Sequence, residues 1–324
     1  MKKMMWTAIL ACMAWWTAPV FGQVKMTRQQ IFFYTSGWKG DRFPDGRPKL
    51  PDDLLKRAAN MTIEDVWDFL RAHGYDNQFE GGWQALHPEK SFAGRALTAQ
   101  YMPLRPDMAA SIAAEGKEEH RVGDTNSWPI AELQSGDVYV ADGFGKVIDG
   151  TLIGSNLGNG IAARSHTGFV FNAGIRDQEE NREVPDFNGF YRGYDPSAWS
   201  QMELTSINAP IRIGRAVVLP GDLVLAKPEG VIFIPAILAE AAISSAEFTA
   251  LQDAFNFELN REGKNGGQFE GGWTSQKYDA FVKWIDAHPK MLKMPRGEFD
   301  AMVAKDKQHS SPASNSSPAA PPPH

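Results

Sequence analysis

The sequence predicts an α/β protein, because short apolar runs occupy the middle of the chain and helix-periodic segments lie on both sides of them. Between residues 138 and 234 the apolar runs alternate with Gly and Pro, and several are apolar at every position, as in strands covered on both faces. Before and after this region, apolar residues recur at helical spacing. With 43% hydrophobic residues, the chain has enough apolar surface for a large core.

The chain begins with the three-part pattern of a secretory signal peptide. Lys2 and Lys3 precede an uncharged apolar stretch, residues 4–16, and small residues follow up to Gly22. We expect cleavage after Gly22, which predicts an exported protein, periplasmic or secreted. The stretch is too short for a permanent anchor, which needs about 20 apolar residues. A lipoprotein is the alternative, because the residues before Cys12 loosely resemble a lipobox.

Composition argues against several classes of function. Cys12 is the only cysteine and would leave with the leader, so no disulfide is expected in the mature chain. Loss of Lys2 and Lys3 would change the net charge from -6 to -8. An acidic chain without a basic cluster is a poor candidate for nucleic acid. No second apolar run reaches membrane length, so no stable membrane span is expected.

The first half of the chain is predicted to hold an arm, two helices, a strand and a further helix. Residues 23–50 mix aromatics with Gly and Pro and are expected to form an irregular arm. A first helix begins near Pro51, and Thr62 with Asp65 forms a capping pair for a second helix that ends at Gly74. The strand and the polar helix that follow are expected at residues 94–102 and 107–119.

The second half is predicted to hold most of the strands and the C-terminal helices. The tripeptide Pro220, Gly221, Asp222 predicts a tight turn. The expected strands are residues 138–141, 169–171, 211–213, 216–219, 223–225 and 231–234, and the expected helices are 236–260 and 275–288. The predicted organisation is a leader at 1–22, an arm at 23–50, an α/β domain at 51–246, a helical extension at 247–305 and a disordered tail at 306–324.

One short internal repeat is present, since residues 78–83 and 268–273 share the sequence QFEGGW. Six residues are too few to define a repeat architecture. We expect a turn used twice that packs Trp on Gly, and a binding role is the alternative.

The densest group of site-type residues lies between Gly136 and Asp177. A glycine-rich loop, residues 154–160, leads into a short helix predicted at 156–164, whose free backbone amides suit a substrate carboxylate. Arg176 follows the buried strand at 169–171, and ligand-binding groups of open α/β sheets lie at that end of the strands. This segment is therefore the candidate site.

This segment resembles the RraA-like family, which includes the metal-dependent 4-hydroxy-4-methyl-2-oxoglutarate aldolases and a regulator of an RNA-degrading enzyme. The family signature is Gly-Asp, twenty residues, Arg-Asp, two residues, and an acid; here Gly154-Ser155, Arg176-Asp177 and Glu180 occupy these positions. Further ordered blocks match between Pro51 and Ala246, at residues 63–70, 94–98, 136–138, 220–224 and 230–235. The resemblance implies a layered swivelling β/β/α domain, with the N-terminal arm and C-terminal helices added, that assembles as a homotrimer or homohexamer with sites between subunits.

The resemblance also implies roles for individual residues. Asp177 would bind a divalent cation directly and Glu180 would act through a metal-bound water, with Glu179 as the alternative; Mg²⁺ or Mn²⁺ suits such oxygen ligands. Arg176 would stabilise the negative charge that develops when a 2-oxo acid is cleaved to an enolate. The backbone at Gly154, Ser155, Asn156 and Leu157 would hold the substrate carboxylate. The metal makes a Schiff-base lysine unnecessary.

Purely structural roles are the alternative for these residues. Arg176 and Asp177 could form a surface ion pair that caps a helix, and the two glutamates could be first-turn acids favoured by the helix dipole. Ser155 departs from the family pattern, in which an aspartate positions a water for protonation of the enolate, and a hydroxyl is a poor acid-base group near neutral pH. Three hypotheses follow: a metal-dependent lyase for 2-oxo acids, a non-catalytic binder of metal and 2-oxo acid, and a protein-interaction regulator.

Overall fold

The computed structural model describes residues 23–264 and 272–309. Residues 306–309, predicted to belong to the tail, are the last residues of a helix. The predicted leader, residues 1–22, and residues 310–324 of the predicted tail lie outside the described residues. Within them, the α-helices are α1 (Arg28–Tyr34), α2 (Asp52–Ala58), α3 (Ile63–Ala72), α4 (Pro106–Glu118), α5 (Trp128–Ala131), α6 (Ser155–Ser165), α7 (Gln178–Arg182), α8 (Ala239–Arg261), α9 (Ser275–Ala287) and α10 (Arg296–His309). The strands are β1 (Phe79–Glu80), β2 (Gln84–Ala85), β3 (Phe92–Pro103), β4 (Asp137–Asp142), β5 (Gly168–Ile175), β6 (Asn188–Tyr194), β7 (Met202–Ile207), β8 (Ile211–Ile213), β9 (Ala216–Val218), β10 (Leu223–Lys227) and β11 (Gly230–Ile234).

Nine strands form one mixed sheet in the order β1-β11-β10-β3-β4-β5-β6-β2, and β7 pairs with the second half of β3. Strands β3 to β6 run parallel, so their carboxyl ends lie at one edge. The two end strands, β1 and β2, are separated in the chain by residues 81–83 only, which requires the sheet to curve back on itself. An ion pair of 2.7 Å between Arg192 on β6 and Glu80 on β1 joins the two edges.

Helices and a hairpin cover both faces of this sheet. Along β4, Val138 and Val140 pack on the β8–β9 hairpin, whereas Tyr139 and Ala141 pack on the side of α4, α5 and α6. Helices α2, α3 and α8 cover β10 and β11. Because both faces are covered, every residue of β4 and β11 is buried, as the uninterrupted apolar runs predict.

The C-terminal helices form a separate aromatic cluster on the second half of α8. Phe248 and Phe255 of α8 pack against Phe281 of α9 and Phe299 of α10, with ring centroids 5.3 to 6.0 Å apart among these four residues. The mixed α/β core with added C-terminal helices agrees with the fold class expected from the sequence. Among the described helices, none combines the length and apolar character needed to cross a membrane.

Several elements differ from the sequence-based expectation. The arm, expected to be irregular, contains α1, because Thr27 and Gln30 form a complete capping box. The sequence-based predictions do not include strands β1, β2, β6 and β7 or helices α5 and α10. Strand β6 contains Gly189 because the ring of Phe169 lies where a side chain would be, 2.1 Å from a Cβ placed there. A glycine in an apolar run weakens the strand pattern even though packing requires it.

The first QFEGGW segment has a structural role. Gln78 donates to the carbonyls of Val217 (3.1 Å) and Phe233 (2.9 Å), which joins β1 to β9 and β11. The Trp83 ring lies under the guanidinium of Arg192 at 3.8 Å, so its partner is a cation rather than the glycines. Of the second copy, residues 268–271 lie outside the described residues.

Candidate functional site

The predicted site residues come together at the carboxyl end of β5. Residues 150–153 run beside the end of this strand, where Leu152 donates to the Gly174 carbonyl and Arg176 donates to the Ile153 carbonyl, both at 3.0 Å. Helix α6 therefore begins directly beside the Arg176-Asp177 pair. The glycine loop and the Arg-Asp pair, 22 residues apart in sequence, form one surface.

Asp177 points at the glycine loop. Its Oδ2 accepts a hydrogen bond of 3.0 Å from the backbone amide of Ser155, the first residue of α6. The Nε of Arg176 lies 3.9 Å from the same oxygen, and the two side chains are 41% and 40% exposed. The carboxylate is thus held by one amide and one guanidinium while remaining open to solvent.

Gly154 lets these groups approach. A Cβ on this residue would lie 2.3 Å from Asp177 Oδ2 and 2.8 Å from Arg176 Nε, closer than side-chain carbons are found. The backbone of Gly154 is extended (φ -113°, ψ -167°), a conformation that any residue can adopt. Glycine is needed here because a side chain would collide with Asp177 and Arg176.

Helix α6 presents amides to this surface. Its first intrahelical bond runs from the Gly158 amide to the Gly154 carbonyl at 3.0 Å, so the earlier amides have no acceptor within the helix. Asp177 takes the Ser155 amide, which leaves those of Asn156 and Leu157 for an anion, aided by the helix dipole. Amides in this arrangement can donate hydrogen bonds to a carboxylate.

The turn that carries Asp177 is unusual, because this residue is in the left-handed conformation (φ 52°, ψ 48°) at the start of α7. Asn181, fully buried, donates from Nδ2 to the carbonyls of Arg176 (3.1 Å) and Asp177 (2.8 Å). Asn181 was not among the residues predicted from the sequence. Its only signal was a polar residue beside the signature.

The oxygen ligands present fit Mg²⁺ better than a cation that needs a complete protein cage. Asp177 offers a solvent-open carboxylate, and Glu179 and Glu180 are exposed on α7. No hydrogen bond or ion pair within the described residues joins Glu180 to Asp177 or Arg176. The described part of the chain also contains no group of three or more His, Cys, Asp or Glu able to hold a metal. Mg²⁺ commonly uses one or two carboxylates and keeps several waters, and an open carboxylate such as that of Asp177 has the chemistry of one such ligand.

Neighbouring polar groups support the same edge of the sheet. At the end of β4, Asp142 accepts from Asn172 Nδ2 at 2.8 Å and from the Phe144 amide at 3.0 Å. Gln178 of α7 donates to the hydroxyl of Tyr191. Burial raises the pKa of this tyrosine, and the hydrogen bond partly opposes that increase.

His166 lies at the opposite end of α6, where it is the C-terminal capping residue in a left-handed conformation.

Two pockets in the described part of the chain lie away from this surface. One of about 700 Å³ lies at the amino ends of the parallel strands, lined by Gly136, Thr167 and Asn188 among others. A second of about 440 Å³ lies between the arm and the β9–β10 turn, above Asp222. The candidate site itself is open to solvent in the single chain, since the side chains of Arg176 and Asp177 are 41% and 40% exposed.

Comparison with known proteins gives a consistent result. Residues 63–233 match the family model described as RraA-like, Aldolase/RraA. The chain is 26% identical over 187 residues to Protein DlpA of Legionella pneumophila, covering 56% of this chain and 28% of that protein. It is 28% identical over 106 residues to 4-hydroxy-4-methyl-2-oxoglutarate aldolase of Thermus thermophilus, covering 33% of this chain and 63% of that protein. The matched segments thus span less than two thirds of these relatives.

A solved structure extends the similarity to the fold. RraAS2 of Streptomyces coelicolor, described as an unusual member of the RNase ES inhibitor RraA protein family, is 25% identical with a TM-score of 0.52. The match covers 64% of this chain and 96% of that one, so the helices after α8 are additions to the shared fold.

Proposed function

The chain belongs to the RraA-like family, and from this premise we propose that it is a divalent-metal-dependent lyase acting on 2-oxo acids. The proposed reactions are retro-aldol cleavage of 4-hydroxy-4-methyl-2-oxoglutarate-type acids to pyruvate and decarboxylation of oxaloacetate. The observation that carries the proposal is the contact between Asp177 and the Ser155 amide beside Arg176. Similarity to a Thermus thermophilus protein named as an aldolase for this substrate supports it.

Each residue of the surface has a defined task in this proposal. Asp177 would hold the cation, with Glu180 acting through water, and a bound Mg²⁺ or Mn²⁺ supplies Lewis acidity toward the keto acid. The free amides of Asn156 and Leu157 bind the substrate carboxylate. Arg176, whose Nε lies 3.9 Å from Asp177 Oδ2, would face the keto oxygen of the substrate and stabilise the negative charge that develops there as the carbon–carbon bond breaks.

Ser155 decides how fast this surface can turn over substrate. Its hydroxyl can orient a water but has no carboxylate state near neutral pH. Loss of a positioned proton-transfer group commonly lowers the rate by about 10²- to 10⁴-fold. This substitution favours a second candidate function, a non-catalytic binder of metal and 2-oxo acid that uses the same residues.

The surroundings of the site extend the proposal. We further propose a homotrimer or homohexamer with sites between subunits. A second subunit would then cover Arg176 and Asp177, which are about two-fifths exposed in the single chain, and exclude water from them. Residues 1–22 have the leader pattern, so we place the protein outside the cytoplasm, in the periplasm or secreted.

The decisive assay is pyruvate release from oxaloacetate by the purified protein with Mg²⁺ or Mn²⁺ and then with chelator. We expect Asp177→Asn to abolish the metal-dependent rate and Ser155→Asp to raise it, by up to about 10²-fold. Glu229→Gln, an exposed acid in the β10–β11 turn, is the matched control and should change nothing. An Asp177→Asn variant with the wild-type metal-dependent rate would refute the site. Metal and pyruvate binding without turnover would establish the binder.

A further inference from the structure

Resting on the proposed function, we propose that Asn181 is a positioning residue that holds the Asp177 carboxylate against the start of α6. Asn181 touches neither solvent nor the site surface, since it is fully buried behind Arg176 and Asp177. Its side chain nevertheless contacts both halves of the site, the Arg-Asp turn and the glycine-rich helix.

The first contact fixes the turn. Nδ2 of Asn181 donates to the carbonyls of Arg176 at 3.1 Å and Asp177 at 2.8 Å, and its backbone amide donates to the Asp177 carbonyl at 3.0 Å. These bonds clamp the peptide groups on both sides of the Asp177 Cα. A left-handed conformation is unfavourable for a residue with a Cβ, so it needs such support. Without the clamp the carboxylate would lose its direction toward Ser155.

The second contact sets the distance to α6. The Oδ1 of Asn181 is buried without a hydrogen-bond partner among the described residues, and it lies against Gly158. A Cβ on Gly158 would come within 1.9 Å of this oxygen, so glycine is required there for α6 and α7 to meet. The Ser155 amide lies one turn earlier on the same helix. The contact with Gly158 therefore also fixes the position of this amide, which donates to Asp177 Oδ2.

The first contact explains why a buried asparagine, and not an apolar residue, occupies this position. An apolar side chain of similar size would fill the space but leave the Arg176 carbonyl without its donor. We therefore assign Asn181 to the orientation of the metal-binding carboxylate. Partners of this kind typically change metal affinity by about 10- to 100-fold when removed.

A control for general loss of stability exists in the same domain. Asn188, at the opposite end of the parallel strands, is also buried and also donates from Nδ2 to two carbonyls, those of His87 (2.9 Å) and Lys90 (2.8 Å). Both substitutions remove two bonds donated by a buried Nδ2, beside the site for Asn181→Leu and at the other end of the strands for Asn188→Leu. Asn188→Leu also removes the bonds that its Oδ1 accepts from the amides of His87 (2.9 Å) and Gly189 (2.8 Å), so it is the more severe test of a general loss of stability.

The experiment compares both variants by thermal unfolding, by Mn²⁺ binding in electron paramagnetic resonance, and by hydrogen exchange of the Ser155 amide. We expect both to melt at lower temperature. Only Asn181→Leu should weaken Mn²⁺ binding, by about 10-fold or more, and accelerate exchange at Ser155. Wild-type Mn²⁺ affinity and wild-type Ser155 exchange in Asn181→Leu would overturn the assignment, as would equal effects of Asn188→Leu.

Two further variants keep the outcome clear. If Asn181→Leu fails to fold, Gly158→Ala displaces the same side chain and should give the same two changes, weaker Mn²⁺ binding and faster Ser155 exchange. Gly160→Ala is its control and should give neither change, because the added carbon meets only Ile130, at 3.7 Å. Wild-type behaviour of Gly158→Ala would then overturn the assignment. Asp177→Asn separates the two proposals. If this variant binds Mn²⁺ normally, the proposed function fails. Exchange of the Ser155 amide in Asn181→Leu needs no metal, so it still decides the role of Asn181.

Discussion

Replacement of Gly154 by alanine tests the geometry of the site with a single methyl group. The added carbon would lie 2.3 Å from Asp177 Oδ2 and 2.8 Å from Arg176 Nε, whereas ordinary contact begins at 3.4 Å. The carboxylate must therefore move by about 1 Å, a displacement that can lower a rate about 10²-fold. That loss corresponds to about 2.7 kcal/mol of transition-state stabilisation.

The same substitution should affect the fold little. Gly154 is in an extended conformation that alanine adopts freely, and alanine at a helix N-cap costs about 1 kcal/mol. We expect a small change in melting temperature together with a roughly 100-fold loss in kcat/KM for oxaloacetate and a parallel loss of Mn²⁺ affinity.

Gly160→Ala in the same helix is the control, because its methyl makes only ordinary contact with Ile130. It should keep the wild-type rate and affinity and stabilise the helix slightly. If Gly154→Ala retained both the rate and the Mn²⁺ affinity within about twofold, neither catalysis nor metal binding would depend on the contact between Asp177 and the glycine loop.

Two further predictions concern stability. Burial raises the pKa of Asp222 to about 7, so the folded state holds this proton more tightly than the unfolded state. The contribution of this carboxyl to stability is therefore fully present below pH 4 and is lost as the pH rises to 7. The decline should be about 4 kcal/mol and should vanish in Asp222→Asn, measured by urea unfolding across that range; an unchanged slope would contradict it. Arg47→Met leaves Asp137 buried without its 2.9 Å partner and should cost about 3 to 5 kcal/mol at pH 7, whereas a loss below about 1 kcal/mol would show that Arg95 suffices.

Local patterns predict the elements whose signals lie within a few residues. Helix α3 begins where Thr62 caps the Asp65 amide, at 3.2 Å, and strand β4 is apolar at successive positions because both faces are covered. Strand β6 carries no such local signal, since Gly189 is explained only by the ring of Phe169 on the neighbouring strand. Pairings of this kind depend on tertiary contact and are absent from a window of sequence.

The candidate site was predictable to a similar extent. The glycine loop and the family-like signature brought Gly154, Ser155, Arg176 and Asp177 into one hypothesis, and the structure places these four together. Glu180 is exposed on α7, and its predicted metal role stays a prediction. Asn181 could not be found from the sequence, because its importance depends on a left-handed turn that no residue preference specifies.

In the proposed function, Asp177 and the start of α6 together hold a cation and a small oxo acid. Crystals grown with Mn²⁺ and oxalate, a stable compound with two adjacent carboxylates, test it directly through anomalous scattering from manganese. We predict a manganese peak at the Asp177 carboxylate with oxalate bound at the amides of Asn156 and Leu157. A peak at another position, or bound oxalate distant from Arg176, would contradict the account.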